Sequence, residues 1–239
     1  MAEFPRENWD LDFRAELYKE EFFASDAWAR VRDRMVAPWE GSIVEELTSL
    51  RKLKKTERPR HPGEIVREQQ GLVMIGAWYE LLEIGPVSHP LTAELLHATI
   101  YLAGSVASCF KARFNRVRPW TLAPDLSPPV PFPGLPAYPG GHATQVYLMA
   151  HTLLYLVPDQ KDRDRIMARA DNIAANRERG GLNYPSDTAA AKELAAQIFD
   201  ILMSECARFK STLESAQAKE WAPGQRPGAA ILRQAGFPA

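Results

Sequence analysis

The chain has 239 residues, 46% of them apolar and 25% charged, a composition ordinary for a soluble globular protein with one sizeable core or two small ones. Its 29 basic and 30 acidic side chains nearly cancel, which argues against the global field of a nucleic-acid or anionic-lipid binder. The densest basic run, RKLKKTERPR at 51–60, lacks aromatic or glycine-rich context and reads as a solvated helix end, so no nucleic-acid partner is expected.

Helical periodicity dominates and β-like alternation is scarce. The pattern predicts helices at about 12–36, 38–54, 63–84, 90–115, 141–157, 160–179 and 186–215. The opening MAEFPRENWDLDF carries four acidic residues and no apolar run, so no signal peptide is expected. The longest uncharged stretches, 95–110 and 142–157, have 16 residues each and fall short of the ~20 a membrane span needs. No membrane span and a cytoplasmic location are therefore expected. Cys109 and Cys206 lie in apolar helical segments and read as buried thiols. The 142–157 segment is apolar almost all round and should be central in a bundle. The whole chain reads as a single all-α domain over 1–239, with its motif-bearing core at 90–212.

Between the fourth and fifth helices, WTLAPDLSPPVPFPGLPAYPG (120–140) holds seven prolines. They forbid a helix but stiffen the loop. Its apolar and aromatic content favours an ordered wall over a floppy linker. The C-terminal stretch from Trp221 reads as a tail that is packed on the surface or frayed.

Three groups of residues carry chemistry. In KARFNRVRP (111–119), helical geometry carried on to Pro119 would put Lys111 and Arg118 about 700° apart, close to one face. A basic helix C-terminus is the ordinary alternative. In YPGGHATQ (138–145), a Gly140-Gly141 turn opens a helix whose N–H groups suit an anion, with His142 beside it. In the helix before Gly180, Arg177 follows Ile166, Ala170 and Ile173 on the inward face. It must meet an anion there or pair with an ordinary glutamate.

The ordered set Lys111…Arg118-Pro119, Pro139…His142 and Arg177…Asp187 resembles the type 2 phosphatidic acid phosphatase superfamily. That group includes bacterial class A acid phosphatases, lipid phosphatases and vanadium-dependent haloperoxidases. The resemblance covers about a third of the chain. It implies an all-α helical bundle of the acid phosphatase and vanadium haloperoxidase type. It also implies that Lys111, Arg118, Arg177 and the Gly140–Gly141 backbone bind the oxygens of phosphate or vanadate. His142 would protonate the leaving group, and Asp187 would orient a nucleophilic histidine.

The position of that nucleophile holds Asn183. An amide nitrogen, its lone pair delocalised, neither attacks phosphorus nor binds vanadium at useful rates. Gly140 stands where the family usually has a serine, and Asn176 replaces the usual serine before the arginine. Two departures together argue mildly for divergence over a single engineered change. The expectation is an anion cradle without its nucleophile: a phosphoesterase-type protein impaired as a phosphatase. One alternative is a repurposed enzyme or oxyanion-binding protein that uses His142 as acid or base. A haloperoxidase ranks lower, because the missing residue is the protein ligand to vanadium. The expected partners are a small-molecule phosphate ester or other organic substrate, and inorganic phosphate, sulfate or vanadate. No cofactor is expected, and the oligomeric state is not readable.

Overall fold

In the computed structural model, residues 9–35, 42–69 and 71–222 are described. The chain is all-helical, as expected, with no strand among the described residues. The helices are α1 Leu11–Phe23, α2 Asp26–Arg34, α3 Ile43–Thr56, α4 Pro62–Arg67, α5 Gly71–Leu82, α6 Pro90–Phe114, α7 Pro119–Leu122, α8 Gly141–Leu156, α9 Gln160–Arg179, α10 Pro185–Glu205 and α11 Ala207–Glu220. Residues 1–8 of the signal-peptide reading and residues 223–239 of the C-terminal tail lie outside the described residues.

Breaks split three of the expected long helices. The first pair divides at Ala24 because Ser25 is a better cap than a helical residue: its hydroxyl accepts from Trp28 N–H, a contact typically worth ~1 kcal/mol. The 63–84 reading separates into α4 and α5. The last helix divides at Cys206, whose extended backbone starts α11.

Helix α8 is the axis of the bundle and packs on α6, α9 and α10. Leu148, Met149, Ala150 and Leu153 are fully buried along it, as its uniform apolarity predicts. Helix α6 packs on α1, α8 and α11. Its N-terminus is closed by Glu220, whose carboxylate accepts from Leu91 and Thr92 N–H. Cys206 is buried, but Cys109 is exposed, which corrects the reading of both as buried thiols; both are free.

The stretch Pro90–Leu122, which includes α6, is long and apolar enough to cross a membrane, with mean hydropathy 1.2 in its 18-residue window and 67% of that window buried inside the protein. The expectation that no segment qualifies is corrected. It counted unbroken uncharged runs, whereas mean hydropathy tolerates isolated charges such as Glu94 and Lys111. The cytoplasmic location, expected because no signal peptide was visible, is corrected as well.

The proline-rich loop is an ordered wall. Ala123, Leu126 and Ala137 pack with Leu47 and Leu50 of α3 and with Tyr184 in a small second core. Arg58 ties the same loop down by donating to the carbonyls of Leu126 and Ser127.

Candidate functional site

Lys111, Arg118, Gly141, His142, Arg177 and Asn183 line one cavity of about 490 Å³. They arrive from four directions: the end of α6, the segment before α7, the start of α8, and the end of α9 with the turn after it. Arg118 does not come in on the α6 helix, which corrects the one-face reading. Helix α6 stops at Phe114, and Asn115 turns left-handed at φ 44°, a conformation asparagine tolerates better than most residues. Arg118 then follows in extended backbone.

Lys111 is 4% exposed. Its ammonium donates to the carbonyls of Pro136, Ala137 and Pro139 at 2.6, 2.8 and 2.7 Å. All three of its hydrogens are thereby committed, so Lys111 staples the proline-rich loop and gives the cavity charge rather than a free donor. Burial, with Arg118 adding to it, pushes its pKa down to about 7. Arg118 donates from Nε to Leu135 O, and from Nη1 to Leu182 O at 2.7 Å and Asn183 Oδ1 at 3.2 Å.

Arg177 differs. It is 4% exposed, and its Nε is buried with no hydrogen-bond partner. Among the described residues it forms no ion pair; Glu68 is the carboxylate that acts on it through space. Glu68 itself accepts from Asn176 Nδ2 at 2.8 Å and stands 3.7 Å from Arg169. An ordinary Arg–Glu pair, the alternative raised by the sequence, is therefore not made at Arg177. Burial lowers Arg177 to about 9 and Arg118 to about 10, so both stay cationic at neutral pH.

No Asp or Glu is among the described residues lining the cavity. Like charges about 4–16 Å apart repel by on the order of 1–4 kcal/mol per pair at an effective dielectric near 20. Such an arrangement is stabilised by an anion between the cations. The first-turn N–H groups of α8 lack helical acceptors and add to the same field.

His142 Nε2 donates to Gln69 O at 3.1 Å. Burial, then Arg177, pushes its pKa down to about 3. Without an anion the ring is neutral, its one N–H is spent, and Nδ1 offers a lone pair.

Asn183 is 4% exposed and engaged on both sides. Nδ2 donates to Ala137 O at 3.0 Å and to Asp187 Oδ2 at 3.2 Å, while Oδ1 accepts from Arg118. Asp187 lies behind it, outside the cavity lining. Its Oδ2 also takes Tyr184 N–H, helping to start α10. Gly140 is also behind the wall: its N–H donates to Asp187 O at 3.0 Å, so that donor is not available to a ligand. A Cβ on Gly140 would lie 3.2 Å from Asp187 O, a tight contact that a serine there would have to relieve.

Residues absent from the sequence reading complete the support. Arg116 donates to Asp187 Oδ1 and Ser186 Oγ, both at 2.7 Å, and to Glu46 Oε2 at 2.6 Å. It lies 4.0 Å over the Tyr184 ring. Its signal was present in the run RVR: residues two apart in extended backbone share a face, and both arginines reach the 182–187 turn. Glu46, on α3, had no local signal. His61, His89, His97 and His151 do not line the cavity.

Covalently held vanadate does not fit this donor set, because both Asn183 Nδ2 hydrogens point at acceptors and the amide offers no basic nitrogen. Among the described residues no group of three or more His, Cys, Asp or Glu side chains is placed to hold a metal ion.

No family model and no curated protein matches the chain. Among solved structures it is similar to a transmembrane PAP2-type phosphatidylglycerolphosphate phosphatase from Bacillus subtilis, at 13% identity and TM-score 0.40, with 86% of this chain and 94% of that chain covered.

Proposed function

We propose that the cavity is an oxyanion site on a phosphoesterase-type scaffold of the type 2 phosphatidic acid phosphatase superfamily, taking a phosphate monoester and impaired in hydrolysing it. The observation that carries this reading is Arg177: a deeply buried guanidinium with an unpartnered Nε, on a cavity it shares with two further cations and, among the described residues, no carboxylate. Lys111 supplies charge, Arg118 and Arg177 supply charge and direction, and the start of α8 supplies N–H donors. Such pre-organised charge stabilises a transferring phosphoryl group. It supplies no attacking atom, and neither does Asn183.

Two measurements test the reading. Phosphate, sulfate and vanadate should each raise the melting temperature through ligand linkage, and less so in Arg118→Ala. Hydrolysis of p-nitrophenyl phosphate should be near background and should rise by several orders of magnitude in Asn183→His. Asp187 Oδ2, which now accepts from Asn183, would then accept an imidazole N–H and fix its tautomer. Absence of any thermal shift at millimolar anion would sink the oxyanion site. A silent Asn183→His variant that still binds phosphate would favour the repurposed reading, in which the His142 Nδ1 lone pair acts as a base.

A further inference from the structure

Helices α4 and α9 meet along a polar seam. On α9, Arg169, Asn172 and Asn176 recur at intervals of three and four residues, which places them on one helix face. That face meets α4. Asn172 Nδ2 donates to Glu64 Oε2 at 2.8 Å, and Asn176 Nδ2 donates to Glu68 Oε2 at 2.8 Å and to Glu64 Oε2 at 3.3 Å. Asn176 Oδ1 accepts from Arg179 at 2.7 Å. A serine at 176 has a single hydrogen and could not serve both glutamates. The asparagine belongs to this seam.

Glu68 is 3% exposed, and its Oε1 is buried without a hydrogen-bond partner. The Arg169 guanidinium stands 3.7 Å from that oxygen, beyond ordinary hydrogen-bond distance. Arg177 follows Asn176 by one residue, about 100° further round α9, and so turns from the seam to the cavity. Its Nε is also buried and unpartnered. Glu68 and Arg177 act on each other through space. Arg177 lines the cavity and Glu68 does not, so the guanidinium has the carboxylate on one side and the cavity on the other. The carbonyl of the next residue, Gln69, holds His142, and the seam therefore reaches the site at two points.

We propose that Glu68 is the internal counter-charge of the oxyanion site and takes up a proton from solvent when an oxyanion binds, so that acid tightens binding. The proposal rests on the oxyanion reading of the cavity. Without an anion, the buried carboxylate needs cations to stay charged, and Arg169 and Arg177 supply them. An oxyanion that engages Arg177 from the cavity satisfies that guanidinium and sets a second negative charge near Glu68. Charge on the carboxylate then costs more, and protonation relieves it. Burial already raises the Glu68 pKa, and Glu64 adds to it, while Asn176, Arg169 and Arg177 act the other way. The other titratable groups at the seam are His61, 3.3 Å from Glu64, and His142 at the Gln69 carbonyl.

Calorimetric titration of the full chain with sulfate at pH 5.5, in two buffers of different ionisation heat, counts the protons taken up. That pH lies well above the His142 pKa of about 3 and well below the Lys111 pKa of about 7, so the count reports chiefly on Glu68. The chain should take up at least about 0.3 proton per sulfate, and Glu68→Gln less than about 0.1. Glu68→Gln keeps the oxygen that Asn176 bonds. It should bind sulfate at least about threefold tighter than the unchanged chain at pH 7, with the gap narrowing toward pH 5. Uptake that survives in Glu68→Gln, or a variant that binds sulfate no tighter at pH 7, overturns the counter-charge role while leaving the oxyanion site intact. If the variant fails to fold, carbon-13 NMR of the glutamate carboxyl groups in the unchanged chain decides the matter. Sulfate should raise the titration of the Glu68 carboxyl by at least about half a unit, and a carboxyl that stays unmoved overturns the proposal. Failure of sulfate to bind both chains overturns the oxyanion reading, and the role of Glu68 with it.

Discussion

Asn183 donates from its amide nitrogen to the carboxylate of Asp187 at 3.2 Å, and Asp187 has no exposure to solvent. A buried carboxylate is tolerable only with partners, and Asp187 has two more besides the amide. Tyr184 N–H meets one of its oxygens, Arg116 meets the other, and Arg116 is itself neutralised by Glu46. The site that faces solvent is thus held by a second, fully paired set of charges behind it. Among the described residues the cations toward the cavity form no ion pair, whereas charges behind the wall are matched.

Removing Arg116 should therefore cost stability rather than binding chemistry alone. The side chains of Arg116 and Asp187 are 2% and 0% exposed. Arg116→Ala leaves Asp187 buried with its charge uncompensated, a loss of about 3–5 kcal/mol for pairs of this kind. Urea unfolding checks it. A loss below about 1 kcal/mol would show that the network relaxes without Arg116.

Gly140→Ser restores the residue usual in the resembling family, yet it should harm this protein. The backbone at Gly140 (φ −65°, ψ 103°) is open to any residue, so the cost is steric. Its Cβ would meet Asp187 O at 3.2 Å and Ala143 Cβ at 3.3 Å, and overpacking of this order costs about 1–3 kcal/mol. The melting temperature should fall with no gain in sulfate affinity. A variant that is stable and binds sulfate more tightly would mean the strand of backbone between Pro139 and Gly141 can move aside.

Sulfate binding should weaken as pH rises, and Lys111 sets the window. Its pKa is about 7 when folded, against an ordinary 10.5. Between those values the unfolded chain holds the extra proton, so without an anion this group's contribution to stability rises with pH. Bound sulfate favours the charged ammonium and reverses that preference. The rise in melting temperature given by sulfate should be full at pH 6 and reduced by half or more at pH 9. Sulfate keeps one charge state over this range, so the change reports the protein. A shift that is flat or grows with pH would place Lys111 outside the anion's reach.

Much of this was legible in the sequence because it is local. The apolar phase of α8 announced a central helix, and seven prolines announced a stiff wall. The phase of Ile166, Ala170 and Ile173 announced that Arg177 points inward, where it is 4% exposed. What was hidden depends on tertiary pairing. The left-handed Asn115 that redirects Arg118, the loop carbonyls that consume the Lys111 hydrogens and the Glu46–Arg116–Asp187 chain join segments up to 141 positions apart. The membrane-length stretch was missed for a different reason. Counting uncharged residues stops at the first charge, whereas the transfer energy of a helix sums over all of its residues.

The His142 ring offers the most direct report on whether an anion belongs here. Its pKa is pushed down to about 3 by burial first and then by Arg177, with Arg118 and Lys111 adding, while the bond to Gln69 O acts the other way. In the absence of an anion the imidazole should stay neutral from pH 8 to below pH 5, in the tautomer that carries its proton on Nε2. An oxyanion among Lys111, Arg118 and Arg177 would cancel the charges that depress it and offer Nδ1 an acceptor once protonated. Its pKa should then rise by at least about one unit, which corresponds to about 1.4 kcal/mol of differential interaction. Binding should accordingly take up protons near pH 4, visible as buffer-dependent heats in calorimetry. Nitrogen-15 NMR of the imidazole with and without sulfate measures both tautomer and titration. A ring that titrates near its ordinary value without sulfate would refute the field of the three cations. A ring whose titration sulfate leaves unmoved would show that the anion does not reach His142, and its assignment as an acid–base group at this site would fail.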